Sequence, residues 1–275
     1  MNKINLTTAL VLSYALMLAP NTLALEASLV RPAELSYSTD GKPYARLTLG
    51  GTQGDGKRFY HNLTVLGERS EKLAALEPGS ALLIGARLEY STWVDDAGQE
   101  QSRNKLTLSS YREPLGSPRL DAVLSDTTGE TSLVLQGGSS QLTLEGIVVG
   151  NRGLKFQDGV SPRPYTLLSV VYPNPAYYPG GSAPELGQVE VLVMDAEAEK
   201  VAELGVGWGI ALEGRVYLSG KAGAPSRPLA VFAERTFAFS LTSPDRIGGE
   251  LSNPSVQGEA DLELPDMLEA LDAYV

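Results

Sequence analysis

The chain has 275 residues, 43% of them hydrophobic, with 29 Gly and 17 Pro spread along its length. That describes a turn-rich, mostly β protein of one large or two small domains. The absence of Cys excludes disulfides, thiolate chemistry and Cys-based zinc sites, and fits a reducing compartment; a single His, His61, argues against a His metal cluster or a conventional catalytic triad. The net charge of −11 argues against a nucleic-acid partner until its distribution is considered. Residues 241–275 carry eight Asp/Glu against Arg246 alone, a net of −7, which leaves −4 for residues 1–240.

Residues 1–20, MNKINLTTALVLSYALMLAP, look like a secretory leader, with Lys3, an apolar run from Ala9 to Ala19 and small residues at Thr22 and Ala24. The run is short for a membrane span. Cleavage after Ala24 would cut into the first strand, TLALEASLV, so a mis-assigned start or a non-functional extension is the reading preferred over secretion.

From Thr22 the pattern turns strand-like. TLALEASLV is followed by a hairpin signal at Asp40-Gly41 and then YARLTLGG. The glycine-rich loop GGTQGDGKR leads into FYHNLTVLG; because it precedes a strand and not a helix, it is not a phosphate loop. ERSEKLAALEPGS reads as a helix, with Leu73 and Leu76 on one face and Pro78-Gly79 as its stop. ALLIGARLEYSTW and SRNKLTLSSYREP follow as strands joined by a polar hairpin around Ala97-Gly98. Residues 116–138 read as a linker with room for a strand at Ser132–Gln136.

A second set of strands follows over 139–240. Its segment EVLVMDAEAEKVAELGVGWGIALEGRVYLS lies on NLTVLGERSEKLAALEPGSALLIGARLEYS of the first. A short helix between two strands, then a strand bearing Gly and Arg (Gly85 and Arg87; Gly214 and Arg215), recurs in both halves and sets a unit of about 90–100 residues. Five strands with one helix between the third and fourth is the order of the OB-fold, a Greek-key barrel that binds oligonucleotides or oligosaccharides. The expected architecture is therefore all-β: 1–20 a leader or extension, 21–115 a first OB-fold, 116–138 a linker, 139–240 a divergent second OB-fold, and 241–275 an acidic flexible tail.

The details resemble a known family. Leu29-Val-Arg-Pro-Ala-Glu-Leu-Ser-Tyr37, then Asp40-Gly41, then Arg46-Leu-Thr-Leu49 is similar to the opening of bacterial single-stranded DNA-binding proteins. Phe59-Tyr-His-Asn-Leu-Thr-Val-Leu-Gly67 resembles that family's aromatic-His strand, and Gly85-Ala-Arg-Leu-Glu-Tyr90, Trp93 and Ala97-Gly98 resemble its tryptophan hairpin. The two-domain layout is similar to the Deinococcus–Thermus type, in which two chains pair to assemble four OB-folds.

The resemblance implies a non-enzymatic protein that binds single-stranded DNA without sequence preference and serves replication, recombination or repair. Trp93 is then a base-stacking platform and Tyr60 the strand aromatic, with Leu66 where the family often has Phe; His61 is structural. Lys57, Arg58, Arg87, Arg103 and Lys105 are the cations placed to track phosphates, against the alternative of ordinary solvated strand charge. In the second half Leu218, Ser219 and Gly220 stand where the hairpin aromatic belongs; Trp208 lies in a turn, and Tyr172, Tyr177 and Tyr178 either stack on bases or pack on their own loop. The tail offers Met267, Leu268, Leu271 and Val275 as one apolar helical face for a partner protein.

The expected partners are thus single-stranded DNA, a second copy of the chain and replication or repair proteins, with no cofactor, metal or membrane, in the cytoplasm at the nucleoid. Two other classes compete. One is a degenerate OB-fold scaffold for repair proteins; the other, if the leader is genuine, is a secreted β-rich binder.

Overall fold

The computed structural model describes residues 21–114, 117–124, 131–157, 161–176, 181–218 and 228–239. The expected leader and acidic tail, with Met267, Leu268, Leu271 and Val275, lie outside them, as do Tyr177, Tyr178, Ser219 and Gly220.

The first barrel grows from strands in which every second residue is apolar and turned inward. β1 (Asn21–Leu29) buries Leu23, Leu25, Ala27 and Leu29; β3 (Pro43–Thr52) buries Ala45, Leu47 and Leu49; β4 (Arg58–Leu66) buries Phe59, His61, Leu63 and Val65. β5 (Ala81–Val94) adds Leu82, Ile84, Ala86 and Leu88, and β6 (Glu100–Arg112) adds Leu106. A short β2 (Glu34–Tyr37) pairs with β3 as the hairpin that Asp40-Gly41 signals, and Gly41 takes φ +75 at the turn.

Antiparallel β1–β3, β3–β4, β5–β6 and β1–β5 pairs and one parallel pair, β4–β6 (Leu63↔Leu106), close the cylinder. This is the OB-fold order, with helix α1 (Arg69–Ala74) between its third and fourth barrel strands. The helix is one and a half turns and buries Leu73, while Leu76 lies past its end, half-buried. Thr22 and Ala24, the small residues that end the leader-like run, sit inside β1, where Ala24 pairs with Gly85.

The segment 116–138 is more than a linker. It holds a hairpin of β7 (Leu120–Leu124) and β8 (Thr131–Gln136), and β8 runs parallel to the end of β3 through Gly51↔Leu135 and Thr52↔Gln136. Ser28, fully buried in β1, donates its hydroxyl to the Leu133 carbonyl at 2.9 Å, and Val134 is fully buried. Among the described residues, 173–176 and 181–187 also belong to this compact unit. There Asn174 mimics a strand neighbour of β5: its Oδ1 accepts from the Tyr90 amide at 3.1 Å and its Nδ2 donates to the Tyr90 carbonyl at 2.8 Å.

The second unit repeats the plan. β9 (Ser139–Asn151), β11 (Pro164–Pro173), β12 (Leu186–Met194), β13 (Gly209–Leu218) and β14 (Leu229–Phe239) close a barrel through β9–β11, β11–β12, parallel β12–β14, β13–β14 and β13–β9 pairs, with a two-residue β10 (Lys155–Phe156) on β11. Helix α2 (Asp195–Val201) lies between β12 and β13, as α1 lies between β4 and β5. Asn151 ties its end down, donating Nδ2 to the carbonyls of Val201, Ala202 and Leu204 at 2.9–3.2 Å. The two barrels even share a register shift, between Gly85 and Ala86 in one and between Glu213 and Gly214 in the other. A Cβ on Gly214 would stand 2.1 Å from the Phe232 carbonyl oxygen, so only glycine fits there.

Candidate nucleic-acid interface

Because residues alternate across a strand, the buried set fixes which side chains stand on the barrel's outer face. On β5 these are Arg87, Glu89, Ser91 and Trp93, and their register partners on β6 are Thr107, Lys105, Arg103 and Gln101. On β4 they are Arg58, Tyr60, Asn62, Thr64 and Leu66, and the pair Thr64↔Thr107 joins the two groups across the parallel seam. Strands β3, β4, β6 and β5 therefore present one continuous outer face carrying Tyr60, Arg58, Arg87, Trp93, Arg103 and Lys105. Lys57 lies at its rim, half-buried in the loop, where its amide donates to Asp55 Oδ1 at 3.0 Å.

Trp93 is 43% exposed at the shoulder of the β5–β6 hairpin, and the Arg103 guanidinium lies 5.2 Å from its ring centroid. This contact orients the ring and stacks a cation on one of its faces. The hairpin tip is held by Asp95, which accepts the amides of Ala97 and Gln99 at 3.0 and 2.9 Å and the Gln101 side chain at 2.9 Å. Those bonds, the Gln99 amide foremost, hold its carboxyl below the usual carboxylate range. Gly98 takes φ +77 to close the turn. The tip thus fixes Gln101, and Gln101 faces Trp93 across the ladder.

Tyr60 lies close against Gly50 of β3: a Cβ there would come within 2.9 Å of the ring. Partial burial raises the phenol's pKa, with Arg58 nearby opposing. His61 points the other way, into the barrel. It is buried, its Nε2 lies 2.8 Å from Ser140 Oγ, and desolvation lowers its pKa to about 4, so it stays neutral.

Arg87 and Lys105 are not independent cations. Between them on the same outer face sits Glu89, only 3% exposed, whose carboxylate pairs with Arg87 Nε at 3.2 Å and Lys105 Nζ at 3.6 Å. The triad carries a net charge of +1 where the two basic residues alone would give +2. A search of the sequence for cations alone misses Glu89, although strand alternation puts it beside Arg87. Where β5 and β6 meet the end of β4, a cleft of about 390 Å³ opens, lined by Leu66, Glu68, Arg69, Arg87 and Thr107 among others.

On the second barrel, Arg215 takes the place that Arg87 holds beyond the shared register shift. Its guanidinium lies 6.0 Å from the Phe232 ring and pairs with Glu234, while Arg235 pairs with Glu213 at 3.8 Å. Tyr172 is fully buried and belongs to the core, so it offers no stacking surface. Exposed aromatics appear at Phe237 (61%), Phe239 and Trp208. The alternation in RTFAFS was the available signal for the two phenylalanines.

Fold and face together define a tandem OB-fold chain whose first barrel exposes an aromatic, cation-bearing surface. Residues 20–112, the first barrel, match the Single-strand binding protein family. A curated relative, the single-stranded DNA-binding protein of Wolinella succinogenes, is 30% identical over an alignment of 102 residues that covers 34% of this chain and 62% of the relative. The chain thus aligns with less than two thirds of that protein's length. Two crystal structures of the single-stranded DNA-binding protein from Thermus aquaticus share the fold at 20% identity. A deletion mutant has a TM-score of 0.60, with 83% of this chain and 98% of that one covered; the wild type has a TM-score of 0.58, with 85% and 99% covered.

Proposed function

We propose that this protein binds single-stranded DNA without sequence preference and holds it during replication, recombination or repair, with no catalytic step. The observation that carries the reading is Trp93: a half-exposed indole on a stiff hairpin, stacked by Arg103, on the outer face of an OB-fold that matches this family. Every base has a π-face, so a ring so placed grips any sequence, at about 1–3 kcal/mol per base. Tyr60 supplies a second aromatic. Arg58, Arg103 and Lys57 with the Arg87–Glu89–Lys105 triad supply the attraction to phosphate, and salt weakens it.

In the same reading residues 21–143 form the binding domain and the second barrel serves pairing and avidity. The protein acts as a homodimer in the cytoplasm at the nucleoid, and the acidic tail recruits replication or repair proteins through Met267, Leu268, Leu271 and Val275. Competition between oligo-dT, a mixed-sequence strand and the same sequence as duplex tests the reading. Equal affinity for the two single strands with much weaker duplex binding is expected; duplex binding as tight as single-strand binding contradicts it.

A further inference from the structure

Thr107 is only 3% exposed, and its Oγ1 has no hydrogen-bond partner. A hydroxyl in that condition costs free energy unless something meets it. It lines the cleft at the end of β4 with two guanidiniums, Arg69 from the start of α1 and Arg87 from β5. Arg69 is aimed by donating Nη1 to the Ser109 carbonyl at 2.9 Å, which commits one of its five N–H donors. Arg87 spends Nε on Glu89 and keeps its two terminal nitrogens for another acceptor. Leu66, 56% exposed, forms an apolar lip, and Glu68 sets one carboxylate against the two cations.

The geometry points to a phosphate seat in this cleft: one non-bridging oxygen accepts from Thr107 Oγ1, which a small shift of the flanking side chains uncovers, while the other takes Arg69 and Arg87. The inference rests on the single-strand reading above and deepens it, because it places one backbone phosphate of the bound strand at a fixed point on the outer face. The chemistry has three parts. Forked guanidiniums match a tetrahedral oxyanion. A neutral hydroxyl in a narrow, half-dry recess discriminates by shape and adds no charge. Leu66 lies where a sugar or base edge next to that phosphate meets apolar surface. With Glu89 and Lys105 counted beside Arg87, the surroundings of the cleft keep a net charge of +1, Arg69, Arg87 and Lys105 standing against Glu68 and Glu89.

The test uses the full-length chain with three variants, Thr107→Val, Thr107→Ser and Arg69→Gln, each titrated with oligo-dT and with an abasic strand of equal length. Thr107→Val removes the hydroxyl at constant shape, and its melting temperature is expected to equal or exceed that of the parent. Its affinity should fall about tenfold on both strands, as for one lost hydrogen bond to a charged group, with the salt slope unchanged. Thr107→Ser should restore the affinity. Arg69→Gln should weaken binding and lower the salt slope by about 0.7.

Inorganic phosphate, followed by the Thr107 and Leu108 amide resonances, separates a free anion from the strand. Resonance shifts with inorganic phosphate but unaltered affinity of Thr107→Val for DNA would make this a free-anion site and overturn its place on the strand. Unaltered affinity with no shifts would remove the seat altogether, leaving the single-strand reading intact. A loss on oligo-dT but not on the abasic strand would assign the hydroxyl to a base and overturn the phosphate. Failure of the parent chain to bind either strand would overturn the reading beneath it.

Discussion

Glu89 sets the electrostatics of the proposed binding face more than any basic residue does. A carboxylate that is 3% exposed, with a cation on either side, neutralises half of the charge that Arg87 and Lys105 would otherwise offer a phosphate. Glu89→Gln keeps the shape and releases both cations. Single-strand binding should tighten at low salt, and the slope of log affinity against log salt should steepen by up to about 0.7 for each further phosphate that a released cation engages. An unchanged slope would mean that neither cation reaches the DNA.

His61 makes a separate prediction about stability. Its folded pKa, about 4, lies below the 6.5 of an unfolded chain, because burial beside Ser140 disfavours the imidazolium. The unfolded state therefore binds the extra proton between pH 6.5 and 4, and stability falls as pH drops through that window. The contribution is about 3 kcal/mol when fully lost. Denaturant titrations at pH 7, 5.5 and 4 on the parent and on His61→Gln should show the parent losing more of its stability across the range; parallel curves would rule out a buried neutral ring.

Among the secondary-structure elements, the barrel strands were legible because each carries an uninterrupted alternation with one apolar face, as in ARLTL and FYHNLTVL. Gly67 at φ +73 precedes the helical segment and Gly79 at φ +91 follows it, and Pro78-Gly79 was the stop signal the sequence offered. The β7–β8 hairpin was legible only in part. LDAVL is short and holds an Asp, and what makes it a strand is pairing with β8, itself anchored on β3 by contacts far away in sequence.

That anchoring has a consequence. Leu135 and Gln136 extend the β3 edge, Val134 is fully buried, and Ser140 holds His61, so a fragment ending at 115 lacks part of its own core. The fragment 21–143 should melt several degrees higher than 21–115, at about 4–8 °C for each kcal/mol in a domain of this size. Equal melting temperatures would show the hairpin to be an accessory.

Taken end to end, the chain carries two copies of one plan with unequal surfaces. The first copy pairs Trp93 with Arg103 on an outer face, while in the second both arginines of the matching face, Arg215 and Arg235, are matched by Glu234 and Glu213. This inequality was readable as sparse Lys and Arg after residue 139. The candidate site itself was only half readable: types and spacing pointed to Trp93, Tyr60 and the cations. The Glu89 triad, the orphan Thr107 hydroxyl and the Gly50 seat under Tyr60 depend on which strands become neighbours, and pairing is not written in any one strand.

Everything proposed for the binding face turns on Trp93 gripping bases. Intrinsic fluorescence reads this during an oligo-dT titration at low salt, with the parent and Trp93→Ala side by side, since Trp208 is the only other indole. The parent should be strongly quenched on binding. Trp93→Ala, folded as judged by an unchanged melting profile, should lose most of the quench and about 1–3 kcal/mol of affinity, roughly five- to 150-fold. A folded Trp93→Ala chain that binds oligo-dT as tightly as the parent would show that the indole does not hold the strand.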